Sequence, residues 1–97
     1  MSNGKQKYAA LTEPAEDLSQ KYIRVLKDGF ASMDMAQNIL VVRTVSGMAM
    51  AVAAALDALN FHEIVGTIAG DDTIMCAVRS VEENIRLMDR LRKMVGK

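Results

Sequence analysis

The chain is poor in the residues that most often announce a function. Its 97 residues include one cysteine, one histidine, one proline and no tryptophan, and 12 Lys and Arg balance 12 Asp and Glu. A lone thiol, Cys76, closes no internal disulfide and forms no metal-ligand set with the single His62. Without a basic surplus, the chain is not expected to bind nucleic acid by itself, because that requires cations to replace the phosphates' counterions. The longest apolar run, Gly47 to Leu56, is half of the roughly 20 residues needed to span a membrane, and the polar start lacks the apolar core of a secretory signal. These absences predict a cytoplasmic location, no metal site and no membrane partner.

What is present is a globular composition, with 51% hydrophobic and 25% charged residues, which excludes a disordered tail or a collagen-like repeat. A single domain of this size buries only about 60 to 65% of the surface that its unfolded chain exposes. Its core is therefore thin, and association with further copies would strengthen it.

The pattern along the chain alternates between helical and strand periods. Asn3-Gly4 is a turn signal, and the short stretch after it reads as the tail of a hairpin. Thr12, Glu13, Pro14, Glu16 and Asp17 mark a helix start, and Leu18, Tyr22, Val25 and Leu26 carry that helix to Asp28-Gly29. From Phe30 the period becomes two, with Phe30, Ser32, Asp34 and Ala36 alternating against Ala31, Met33 and Met35. The Gln37-Asn38 turn and the β-rich run Ile39 to Thr44 complete a hairpin. After Val45-Ser46-Gly47, a stripe of Met48, Val52, Ala55, Leu56 and Leu59 predicts a second helix, kept slim by its alanines. Ile64 to Ala69 and Thr73 to Val78 form a second hairpin. Ser80 with Glu83 is a capping box, opening a third helix whose turns are marked by Val81, Ile85, Met88 and Leu91 or Arg92. Arg86, Arg90, Arg92 and Lys93 gather toward its negative end, where they are read as solubilising the helix and compensating its dipole, with anion binding as the alternative. The result is an α+β fold, ββαββα preceded by an N-terminal helix: a four-stranded, mainly antiparallel sheet with its helices on one face. The other face must meet water or a partner. Met33, Met35, Met48, Met50 and Met75 are read as gap-filling core, with a plastic interface as the alternative.

Chemistry is concentrated in Gly66-Thr67-Ile68-Ala69-Gly70-Asp71-Asp72-Thr73. Two adjacent carboxylates on a glycine-flanked turn repel each other and favour the arrival of a cation. A guanidinium is the best geometric match. The structural alternative is an Asx-type turn with one aspartate capping backbone amides and the other solvated. Asp57 is either at the edge of a packed surface or on an exposed helix face. Asp71 and Asp72 supply too few oxygens for Mg²⁺ or Ca²⁺ without Asp57 or water. No Ser/His or Cys/His arrangement accompanies them, so no catalytic residue is assigned and an acid/base enzyme is the weakest reading. His62 is expected as an exposed loop residue and Cys76 as a small buried hydrophobe.

On these residues the chain resembles the C-terminal domain of the bacterial arginine repressor family. The resemblance runs from about Tyr22 to Val95 and rests on the Gly66 to Thr73 motif, supported by Leu40 to Thr44, Ser46-Gly47 and Leu56-Asp57. It implies a domain that binds L-arginine as effector, with no other cofactor, and assembles as a homo-oligomer: a hexamer of two stacked trimers with the amino acid between them. Carried over by position, Asp71 takes the guanidinium with Asp72 beside it, Asp57 holds the α-amino group, and Thr67 and Ala69 contribute from the strand. Met50 stands where the family usually has a ligand-contacting polar residue, and Ser46 where it usually has proline. A methionine cannot donate a hydrogen bond, and one lost polar contact corresponds to about 0.5 to 1.5 kcal/mol, roughly threefold to tenfold in affinity. The resemblance also implies that residues 1–11 are the remnant of an upstream β-wing and linker. Operator DNA would then be reached only through a winged helix-turn-helix domain absent from this chain, residues 12–97 being the effector-binding and oligomerisation domain. The alternative is an assembly domain that has lost or changed its amino-acid effector.

Overall fold

The computed structural model describes residues 15–96. Its elements are α1 (Ala15–Gly29), β1 (Phe30–Ala36), β2 (Ile39–Thr44), α2 (Ala49–Leu59), β3 (Ile64–Ala69), β4 (Thr73–Val78) and α3 (Val81–Val95). This is the predicted α+β order. The expected wing and linker remnant at residues 1–11 and the helix start at Thr12 lie outside the described residues.

The strands form one sheet in the order β1-β2-β4-β3, with every neighbouring pair antiparallel. Each hairpin pairs its own strands, and β2 against β4 joins the two hairpins. At the first hairpin's tip, Gln37 takes a left-handed φ of 58°. Three contacts pin this tip. The Asn38 carbonyl accepts from the Val78 amide at 2.9 Å, the Asn38 side chain donates back to the Val78 carbonyl at 3.1 Å, and buried Asn84 of α3 donates to the Gln37 carbonyl at 3.0 Å.

Strand alternation places Leu40, Val42 and Thr44 of β2 and Ile74, Cys76 and Val78 of β4 on the inner face, all buried. There they meet Leu26 and Phe30, Val52 and Leu56 of α2, and Leu87 and Leu91 of α3 in one core. Each fully buried aliphatic side chain stabilises the fold by about 1.5 to 3 kcal/mol. The opposite face keeps its apolar groups in the open: Ile68 is 79% and Met75 52% exposed, and the two sit opposite each other on β3 and β4.

Two expectations about packing are corrected. Met33, Met35 and Met48 are half-buried, but Met50 and Met75 are exposed. Met50 lies on the outer side of α2 and Met75 on the outer face of β4, and among the described residues both stay largely open. In α3 the buried stripe is Asn84, Leu87, Leu91 and Val95, whereas Val81 and Ile85 are exposed. Of the marks read from the sequence, Leu91 is buried and Met88 packs against the core, whereas Val81 and Ile85 miss it, because the first turn faces inward at Asn84, a polar residue whose side-chain amide donates to the hairpin tip. The N-cap half of the expected capping box is present, with Ser80 Oγ accepting from the Glu83 amide at 3.1 Å.

Candidate functional site

The motif Gly66 to Thr73 covers the end of β3, the β3–β4 turn and the first residue of β4, and this turn is stapled to the start of α2. Helix α2 has no side-chain cap of its own, since Met48 occupies the N-cap position. Its first amide is satisfied from a distance: Ala49 N–H donates to the Asp71 carbonyl at 3.1 Å, and Thr44 N–H donates to the Asp72 carbonyl at 2.8 Å. The two aspartates thus satisfy main-chain donors that would otherwise be orphaned. With both carbonyls committed to the 44–49 segment, their side chains diverge.

Asp71 is exposed and its Oδ2 accepts from Ser46 Oγ at 3.3 Å. Asp72 turns the other way. Its Oδ1 accepts from Thr73 Oγ1 at 2.9 Å, and its Oδ2 lies 3.7 Å from Arg43 Nη2, in a pair whose side chains are 48% and 57% exposed. Asp57, on the exposed side of α2, accepts from Thr67 Oγ1 of β3 at 3.3 Å. Among the described residues no cationic side chain pairs with Asp57 or Asp71. Met50, 74% exposed, stands in the first turn of α2, beside the amide that holds the turn.

The predicted site residues therefore fall into two groups along one edge. Asp71 and Met50 are at the N-terminal end of α2, and Asp57 with Thr67 lies seven residues beyond Met50, about 10 Å of helix rise away. Ala69 is half-buried with its side chain packed against the core, so only its backbone faces the site. Among the described residues β3 is an edge strand whose outer main-chain groups have no strand partner. Asp72 does not share the environment of Asp71, although the two are adjacent. Ser46, Thr73 and Arg43 were not expected as site residues. The alternation of β2 shows that Arg43 faces outward, but its place opposite Thr73 depends on β2 pairing with β4, a register between strands that are not neighbours in sequence.

Below this edge, Cys76 is buried as expected, and its thiol is pushed up to about 11 by burial and then by the charge of Asp57. At the far end of α2 lies Glu63, whose carboxyl falls below its usual range. Burial opposes that shift, and hydrogen bonding from its own backbone amide together with the charge and hydrogen bond of Arg90 outweighs it. Arg90 pairs with Glu63 while its guanidinium stacks 5.0 Å from the centroid of Phe61. Arg79 Nε donates to the His62 carbonyl at 2.8 Å. His62 is exposed, as expected. Among the described residues no three His, Cys, Asp or Glu side chains converge in a metal-binding group, and no helix is long and apolar enough to cross a membrane.

The profile of the arginine repressor C-terminal domain matches residues 26–93, a span containing both halves of the edge. An arginine repressor of Lachnoclostridium phytofermentans is 66% identical over 94 residues, covering 97% of this chain and 62% of that protein. One from Lachnospira eligens is 58% identical over 89 residues, 92% of this chain and 59% of the relative. One from Caldicellulosiruptor saccharolyticus is 37% identical over 93 residues, 96% of this chain and 61% of the relative. The chain thus spans about three fifths of the length of these relatives. By sequence, it belongs to the arginine repressor C-terminal domain family.

Proposed function

We propose that this chain is the effector-sensing and assembly part of a transcription regulator of arginine metabolism, that its effector is L-arginine, and that it is a binding module rather than an enzyme. The observation that carries the reading is the pair of exposed carboxylates, Asp71 and Asp57, each held by a hydroxyl and neither matched by a cation among the described residues. Carboxylates set along one edge repel one another and gain when a molecule with two cationic ends lies between them. Arginine is such a molecule: its guanidinium suits Asp71 and its α-amino group suits Asp57, with Thr67 and the β3 backbone alongside.

The assembly is proposed as two stacked trimers with arginine between them. In a symmetric oligomer the same repulsion recurs in every subunit, so a cationic effector bound at the interface would favour the assembled state. The thin core of a small domain and the exposed Ile68 and Met75 support association. The relatives are named arginine repressors, which supports a regulatory role, and operator contact through a winged helix-turn-helix domain is part of the proposal.

A second reading is favoured by Met50. Exposed in the first turn of α2, it offers a thioether where a polar side chain would bind a carboxylate. An assembly domain with a lost or altered effector fits that feature.

Titration of L-arginine into variants separates the two. Asp71→Asn should weaken binding at least tenfold, since a hydrogen bond to a charged group contributes about 1.5 to 3 kcal/mol, while circular dichroism stays unchanged. Unaltered affinity would remove Asp71 from the site. Met50→Gln should tighten arginine roughly threefold to tenfold by restoring one polar contact. If Met50→Gln binds arginine and the unmodified chain does not, the second reading holds.

A further inference from the structure

We infer that Arg43 is an internal competitor for the site, a guanidinium supplied by the chain itself that neutralises Asp72 and leaves Asp71 as the carboxylate offered to the effector. The inference rests on arginine being the effector, as proposed above. Three observations lead to it. Asp72 has the only arginine side chain near the aspartate pair, 3.7 Å from Arg43 among the described residues, and its other oxygen is taken by Thr73. Asp71, one residue away, has a hydroxyl and no cation among the described residues. The Arg43–Asp72 pair is half-exposed and long, so water screens it and it is weak enough to open.

A guanidinium arriving from solution carries the same charge and the same planar donor array as Arg43. At Asp72 it would have to displace an equivalent group already tethered there, and a tethered group acts at high effective concentration. At Asp71 it meets no such competitor. The adjacent aspartates are therefore unequal receptors, and Arg43 sets the inequality. Arg43 also lines a surface concavity of about 450 Å³ together with Asp34 and Ser32 on β1. A displaced Arg43 side chain would find a second carboxylate on the same face of the sheet.

The test is a four-variant titration with L-arginine by calorimetry: the unmodified chain, Arg43→Gln, Asp72→Asn, and the two combined. Opening an exposed pair frees at most a few-fold of affinity. Arg43→Gln should bind arginine about two- to fivefold more tightly. Asp72→Asn alone should change affinity less than twofold, and added to Arg43→Gln it should abolish the gain. That non-additivity distinguishes competition from a purely structural effect of either residue. Binding that weakens in Arg43→Gln, or falls tenfold in Asp72→Asn alone, would overturn the inference and make Asp72 a direct receptor. Equal affinities in the unmodified chain and Arg43→Gln would overturn it while leaving the arginine reading intact. Heat from Arg43→Gln with none from the unmodified chain would overturn it, because Asp71 would then not be a receptor that Arg43 leaves open. No heat from any of the four would contradict the arginine reading and the competition together.

Discussion

Adjacent aspartates meet different fates in this chain because both of their carbonyls are anchored to the 44–49 segment and their side chains must leave in different directions. Asp71 reaches Ser46, and Asp72 reaches Thr73 and Arg43. The motif was legible in the sequence as a place where negative charge accumulates. Which carboxylate stays unmatched was not, because that depends on Arg43 of β2 lying opposite Thr73 of β4. Asp57 was legible only as one of two alternatives, and the structure places it on the exposed side of α2 against Thr67. A different carboxylate, Glu63, illustrates a stabilising partner. Its depressed pKa means that it favours the folded state above the ordinary glutamate range, and that this contribution disappears as pH falls through its lowered value. Glu63→Gln should therefore lower the melting temperature at pH 7, and the gap to the unmodified chain should begin to narrow only once the pH falls below the ordinary glutamate range. Thermal melts of both proteins between pH 7 and pH 3 check this. A gap that is constant across that range would assign the loss to packing instead of charge.

At the scale of elements, α2 is the part of the fold that the rest positions. Its first amide is capped by the turn it helps to present, and its other end is fixed where Phe61 and Glu63 are gripped by Arg90 and where Arg79 holds the His62 carbonyl. It also approaches α1 closely. A Cβ built on Gly29 would come within 2.5 Å of Val52 Cγ2 and 3.2 Å of Met48 Cε, so Gly29 is required by the closeness of the two helices. Gly29→Ala should destabilise the domain by about 1 to 3 kcal/mol through overpacking. Val52→Ala in the same chain should recover part of that loss, and urea unfolding of the single and double variants measures both. Equal stability of Gly29→Ala and the unmodified chain would mean that α1 shifts away without cost. The order of elements was readable because hydrophobic period and turn residues change together at Gly29, Gln37, Ser46 and Gly70. The start of α3 was not, because its buried face includes Asn84 and its exposed face includes Val81 and Ile85. Periodicity assigns apolar residues to the core, and here one polar group is inside while two apolar ones are outside.

At the scale of the whole molecule, a short, charge-balanced chain covers one face of its sheet with helices and leaves Ile68 and Met75 open on the other. Family membership, the carboxylates along the α2 edge that no cation matches among the described residues, and the exposed apolar face support the proposed module that assembles around a cationic effector. The central claim is that the effector is recognised by its guanidinium charge. The most direct test is a calorimetric titration of the chain with L-arginine and, in parallel, with L-citrulline, which keeps the shape and loses the charge. Saturable heat with arginine and none with citrulline at the same concentrations is the result expected. Equal heats from the two amino acids, or none from arginine, would contradict it.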